Sequence, residues 1–186
     1  MRTLRNLDIN KSIESRKLIF EEDWFDKFDN FTNYLIFIAL ITSSVLCLKE
    51  INPLSSNDRV GYYLFSLVIV FCLYGFYCKF SEKHLKEIRF YIHREEAKQK
   101  ILEYGKKYNC RISKISDNFV ILNEPINDFS FGNQEKTILV FFKNDTILYT
   151  VIKEGIRLNA PVLFSQHFTR RDLKKILQKN DSQQFH

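Results

Sequence analysis

The stretch FTNYLIFIALITSSVLCL, Phe31 to Leu48, is followed after eleven residues by VGYYLFSLVIVFCLYGFYC, Val60 to Cys78. Neither run contains Asp, Glu, Lys, Arg or His. Each is about 18 or 19 residues long, which as helix at about 1.5 Å per residue covers nearly the whole hydrocarbon layer of about 30 Å. The break between them, Lys49 to Arg59, holds Asn52-Pro53 and Ser55-Ser56-Asn57-Asp58, which is turn chemistry in a loop too short for a domain. The pattern predicts a membrane hairpin of two transmembrane helices, 31–48 and 60–80. A slightly negative mean hydropathy does not oppose this, because charged ends dilute two very apolar windows.

Basic residues orient the hairpin. The connecting loop has Lys49 and Arg59, whereas Lys79, Lys83, Lys86, Arg89, Arg94 and Lys98 follow the second run, and Lys11, Arg16, Lys17 and Lys27 precede the first. Positive charge stays inside, so the expectation is a multi-pass protein of the cytoplasmic membrane with both termini in the cytosol. Some thirty residues precede the first run and Lys49-Glu50-Ile51 ends it, unlike a cleaved signal peptide with its short basic start and small-residue cleavage site.

The hairpin divides the 186 residues into three parts. Residues 1–30 form an amphipathic lead-in: Phe20, Trp24, Phe28 and Phe31 share one helical face opposite an acidic one, and that acidity favours packing on protein over anionic lipid. The first nineteen residues have no clear period and are expected to fray. Residues 81–186 form a small cytosolic α+β domain. Its entry, Ser81 to Tyr108, is rich in helix formers and is expected to continue the second crossing as one long juxtamembrane helix. On it Leu85, Ile88 and Ile92 face one partner, and Phe90, Ala97, Ile101, Tyr104 and Tyr108 another.

Beyond Tyr108 the period changes to two. Cys110–Ile115 and Phe119–Leu122 flank Ser116-Asp117-Asn118, and Thr137–Phe142 and Thr146–Ile152 flank Lys143-Asn144-Asp145, giving two hairpins. The expected fold is therefore a mainly antiparallel sheet of about four strands flanked by helices. Ile147, Tyr149 and Val151 alternate with Leu148, Thr150 and Ile152, so both faces of the last strand should be covered. Val162–Phe164 offers a further strand or docking loop, and a last helix should start at Thr169, with a basic side formed by Arg170, Arg171, Lys174, Lys175 and Lys179.

Chemistry is sparse. There is no phosphate loop, HExxH, GxSxG or CxxC, and five glycines leave little room for a nucleotide cradle. Cys47, Cys72, Cys78 and Cys110 lack metal-ligand spacing and are expected to be reduced, so neither a metal nor a cofactor is expected. With no ionisable group in either crossing, ion-coupled transport is not expected. The anion-binding candidates are Arg157, His167, Arg170 and Arg171, grouped by the Gly155 turn and the start of the last helix. Ala39, Ser43 and Cys47, at steps of four, form a small-residue face expected to pack against the second crossing.

These features point to a non-enzymatic membrane protein whose cytosolic domain binds a protein partner, or an anionic ligand or lipid headgroup, in a regulatory, accessory or immunity-type role. Nucleic acid is not expected, since no aromatic platform interleaves the basic residues. Two alternatives belong to other classes. One is an oligomeric effector that permeabilises the membrane on binding a signal. The other is a membrane-tethered nuclease using Arg89 and His93, one helical turn apart if 81–108 is a helix.

Overall fold

The computed structural model describes residues 6–52, 55, 58–124, 135–154, 162 and 165–178. In chain order the elements are α1 (Ile9–Ser15), α2 (Trp24–Glu50), α3 (Arg59–Ser81), β1 (Lys86–Arg89), α4 (Arg94–Lys107), β2 (Arg111–Ser116), β3 (Phe119–Glu124), β4 (Glu135–Lys143), β5 (Thr146–Glu154) and α5 (Ser165–Gln178).

Helices α2 and α3 pack on each other as a hairpin, and both are long and apolar enough to cross a membrane. Their contact is built from small groups on α3: a Cβ placed on Gly75 would come within 2.9 Å of the Phe37 ring. Cys72 and Cys78 are buried in α3, and Asp29, Asn33 and Ser44 in α2. The small-residue face expected between the helices is not the one used. Ala39 and Ser43 are exposed and Cys47 is half-buried, whereas Ser44, one position on, is buried. A one-residue step turns a helix by about 100°, so the face that meets α3 is rotated away from the 39/43/47 stripe.

The aromatic lead-in also differs from expectation. Instead of a separate helix packed on protein, Trp24, Phe25, Phe28 and Phe31 belong to α2 and stand 54–77% exposed. Trp24 stacks on Phe28 with ring centroids 5.4 Å apart. The boundary drawn at residue 30 falls inside a continuous helix.

The long helix expected over 81–108 is interrupted. α3 ends at Ser81, a turn follows, and Lys86–Arg89 becomes an edge strand, antiparallel to β5 with Ile88 opposite Ile147. Lysine and glutamate favour helix in isolation, but the apolar residues here also satisfy a two-residue alternation, and pairing with β5 decides between them. Leu85 goes to one side of the sheet, and Ile88 and Phe90 to the other. Among the described residues the sheet thus has five strands in the order β1-β5-β4-β3-β2, all antiparallel, and the two hairpins read from the sequence form its larger part.

Both faces are covered. On one, Ala97, Ile101 and Tyr104 of α4 and Leu173 and Leu177 of α5 pack on Val120, Ile138, Tyr149 and Val151. On the other, Phe119, Leu139, Phe141, Leu148 and Ile152 meet Leu18, Leu85 and the partly buried Leu7, Ile9, Ile13 and Phe20. The amino-terminal segment expected to fray is therefore, from residue 7 on, the cover of the second face. Asp8 caps α1 by accepting from Lys11 N–H at 2.9 Å, and that bond holds its carboxyl below the usual carboxylate range. Ser12, fully buried, donates to the Asp8 carbonyl at 2.6 Å and accepts from Ile19 N–H at 2.9 Å. Val162 is buried outside any strand, while the rest of Val162–Phe164, the Gly155 turn and the tail after Asn180 lie outside the described residues.

Gly105 sets how closely α4 approaches β3, because an added Cβ would lie 2.9 Å from Leu122 Cδ2. Gly105→Val is expected to cost about 1–3 kcal/mol through overpacking. A circular-dichroism melt of the full chain in mild detergent should show a lower midpoint; an unchanged one would mean that Leu122 retreats freely.

Candidate functional site

The residues picked out from the sequence are dispersed. His167, Arg170 and Arg171 lie on the first turns of α5 and share an exposed side through their 3- and 4-residue spacing. Arg157 lies outside the described residues. The helix begins at Ser165, not Thr169, and Thr169 is buried within it. Arg89 and His93 do not share a helix: Arg89 ends β1, with its guanidinium 3.7 Å from Glu87, and His93 stands at the N-cap of α4. The helical-turn spacing that put a base beside a cation is thus absent.

Under α5 lies a polar group that the sequence did not announce. Lys86 donates to Gln166 Oε1 at 2.9 Å, next to buried Thr169 and to Tyr149, its partner across the β1–β5 pair. Burial, followed by the nearby positive charge of Arg170, pushes the Lys86 pKa down, and burial pushes that of the Tyr149 hydroxyl up. Tyr149 Oη, Gln166 Nε2 and Thr169 Oγ1 have no hydrogen-bond partner among the described residues.

The larger feature is the junction where the hairpin enters the domain. Three pieces of chain converge there. Leu18 N–H donates to the Lys83 carbonyl at 2.8 Å and Leu85 N–H to the Arg16 carbonyl at 2.9 Å, forming an isolated bridge between Lys17 and His84. From the sheet, buried Thr150 donates its hydroxyl to the Glu82 carbonyl at 2.6 Å. At the end of α3, Lys79 and Glu82 form an ion pair of 3.1 Å with side chains only 1% and 6% exposed. Lys83, more exposed, pairs with Glu22 at 2.6 Å.

These groups surround a cleft of about 520 Å³. Phe31, Tyr34 and Phe80 supply apolar wall from the hairpin side, Lys17, Lys27 and Lys83 supply positive charge, and His84 adds an imidazole. The His84 ring lies 5.7 Å from that of Phe80. Neither Lys17 nor Lys27 forms an ion pair among the described residues, and both are exposed. A cleft of this composition can take an acidic group attached to something apolar.

The chain matches no family model, no curated protein and no solved structure. Its site therefore has to be read from geometry alone. Among the described residues no cluster of three or more His, Cys, Asp or Glu side chains could hold a metal ion. The junction was missed in the sequence because its parts, residues 16–34, 79–85 and 150–152, are brought together only by the fold. The one signal available was the density of lysine flanking the apolar runs, which served there for orientation.

The buried ion pair is expected to fasten hairpin to domain. Glu82→Gln removes the charge partner of Lys79 and should cost about 3–5 kcal/mol. Lys79→Met with Glu82→Leu should recover much of that loss, because an apolar pair needs no counter-charge. Limited proteolysis at the 79–85 turn reads the difference, and a silent Glu82→Gln would show that the pair fastens nothing.

Proposed function

We propose that the chain is a two-span membrane protein of the cytoplasmic membrane that holds its α+β domain against the inner face, where it works as a binding module rather than an enzyme. The observation that carries this reading is uncovered apolar surface. Only 11% of the most apolar window of either α2 or α3 is buried, although the strands and the helices α4 and α5 pack in a core. Leu35, Ile38 and Leu46 on α2 and Leu64, Leu67 and Val70 on α3 stand exposed along the hairpin. In water so extended a patch is unfavourable; in lipid it costs nothing.

Three further features agree with a bilayer. α2 has 27 residues, about 40 Å of helix, enough to carry Trp24 and Phe28 into the headgroup zone at one end. Tyr62 and Tyr63 mark the other end. Exposed hydroxyls on the hairpin are satisfied by their own helix: Thr42 donates to the Ile38 carbonyl at 2.9 Å, Ser43 to Leu40 at 3.1 Å and Ser66 to Tyr62 at 2.8 Å.

The domain lies at the end of the hairpin that carries the excess of lysine and arginine, which supports a cytosolic placement. The binding role rests on the junction cleft and on the exposed basic side of α5, with His167, Arg170 and Arg171 as its anion-binding candidates. A self-associating form is a second reading, favoured by the outward turn of Ala39 and Ser43, where small residues let helix backbones approach. The internally satisfied hydroxyls weigh against these residues lining an aqueous pore.

Membrane insertion and sidedness have a direct test. The chain should resist alkaline carbonate extraction. In intact cells an impermeant maleimide should label Glu50→Cys at the hairpin tip but Lys175→Cys only after lysis. Labelling of Lys175→Cys in intact cells, or a monodisperse chain without detergent, would end the proposal. Ala39→Leu with Ser43→Leu should lower any oligomer seen by native mass spectrometry to monomer; unchanged stoichiometry would remove the self-association reading.

A further inference from the structure

We infer that the junction cleft is a binding site for the headgroup of an anionic phospholipid, drawn from the leaflet on the domain side. The inference rests on the membrane reading above and assigns a ligand class to the cleft. Its walls differ in chemistry according to where they stand. Phe31 and Phe80, 63% and 62% exposed, belong to the ends of α2 and α3 that run into the apolar hairpin, so an acyl chain can follow them. Lys17, from the amino-terminal segment, and Lys27, one turn before Phe31 on α2, line the same cleft, exposed and without a carboxylate partner among the described residues.

The acids in the wall do not cancel this charge. Glu82 is engaged by Lys79 at 3.1 Å and Glu22 by Lys83 at 2.6 Å, so each acid has its own cation and Lys17 and Lys27 remain as surplus. A phosphodiester accepts from lysine ammonium groups, and His84, its ring tilted against that of Phe80 at the rim, adds a donor. A zwitterionic headgroup would bring its own ammonium group into the same positive surroundings and is disfavoured. A fully soluble phosphate would leave the apolar wall unused. At about 520 Å³ the cleft has room for a glycerophosphate headgroup, with the chains left in the bilayer.

Full-length protein is reconstituted in nanodiscs of equal phosphatidylglycerol and phosphatidylcholine, released into mild detergent, and its retained lipid is measured by native mass spectrometry. Phosphatidylglycerol should be retained preferentially. Lys17→Glu with Lys27→Glu should lower that preference about thirtyfold, two lysines each losing an attraction to anionic lipid. Lys17→Arg with Lys27→Arg should keep it, and so should Lys106→Glu with Lys107→Glu on the exposed end of α4, which tests general surface charge. Circular dichroism on each variant separates loss of binding from loss of fold. Equal retention of the two lipids, or a preference that survives Lys17→Glu with Lys27→Glu in a folded chain, overturns the site while leaving the membrane reading in place. Failure of the chain to enter nanodiscs at all overturns both. Displacement of the bound lipid by millimolar inorganic phosphate alone would show that the apolar wall contributes nothing, and would also overturn it.

Discussion

The constraint on which the rest of this structure depends is an apolar helical hairpin that the other described residues leave uncovered. Folding normally hides large apolar faces within one core. Here the sheet hides its two faces under α4 with α5 and under the amino-terminal segment, and among the described residues none of these elements wraps the apolar length of α2 and α3. The segment that comes before the hairpin is used on the domain that comes after it. That choice closes the chain into a loop and forces both flanks of the hairpin to one end.

Holding those flanks together requires polar chemistry where apolar surface gives way to water. A buried Lys79–Glu82 pair, the Thr150 hydroxyl on the Glu82 carbonyl, and the Lys17–His84 bridge tie α3, β5 and the amino-terminal segment in one place. Buried ion pairs add little net stability against apolar replacements, but they penalise wrong arrangements because a lone buried charge is costly. The pair spans the last turn of α3 and its cap, where the hairpin gives way to the domain. The cleft beside it follows from the same geometry: Phe31 and Phe80 line it from the hairpin, and Lys17 of the amino-terminal segment meets Lys27 of the first turns of α2.

The domain shows how tertiary pairing overrules local preference. Residues 85–90 contain Lys86, Glu87 and Arg89, all good helix formers, and lie between two segments that do form helix. Their apolar members Leu85, Ile88 and Phe90 fit a helical stripe poorly and a strand well, with Leu85 on one face and Ile88 and Phe90 on the other. Once β5 is present with an open edge, four residues of ladder settle the matter. Arg89 and His93 lose their shared helical face as a result. The same lesson applies to α1: no clear period marks residues 9–15, yet buried Ser12 and Leu18 hold them against a face that needs covering.

What the sequence determined by itself was whatever repeats locally. Two uncharged apolar runs, a polar turn between them, two alternating hairpins with polar turns and a carboxyl-terminal amphipathic helix are all legible, because composition and period over ten to twenty residues specify them. What only the tertiary structure decided was whatever joins distant residues: the fifth strand, the helix face that meets α3, the docking of residues 7–20, and the junction cleft. The stripe of Ala39, Ser43 and Cys47 could be found in the sequence, but its direction could not, since small residues permit close approach without naming the partner. Lys17, Lys27, Phe31, Phe80 and His84 are scattered over nearly seventy residues of chain, and no local rule joins them. Their meeting follows from apolar surface being buried on the sheet and left bare on the hairpin.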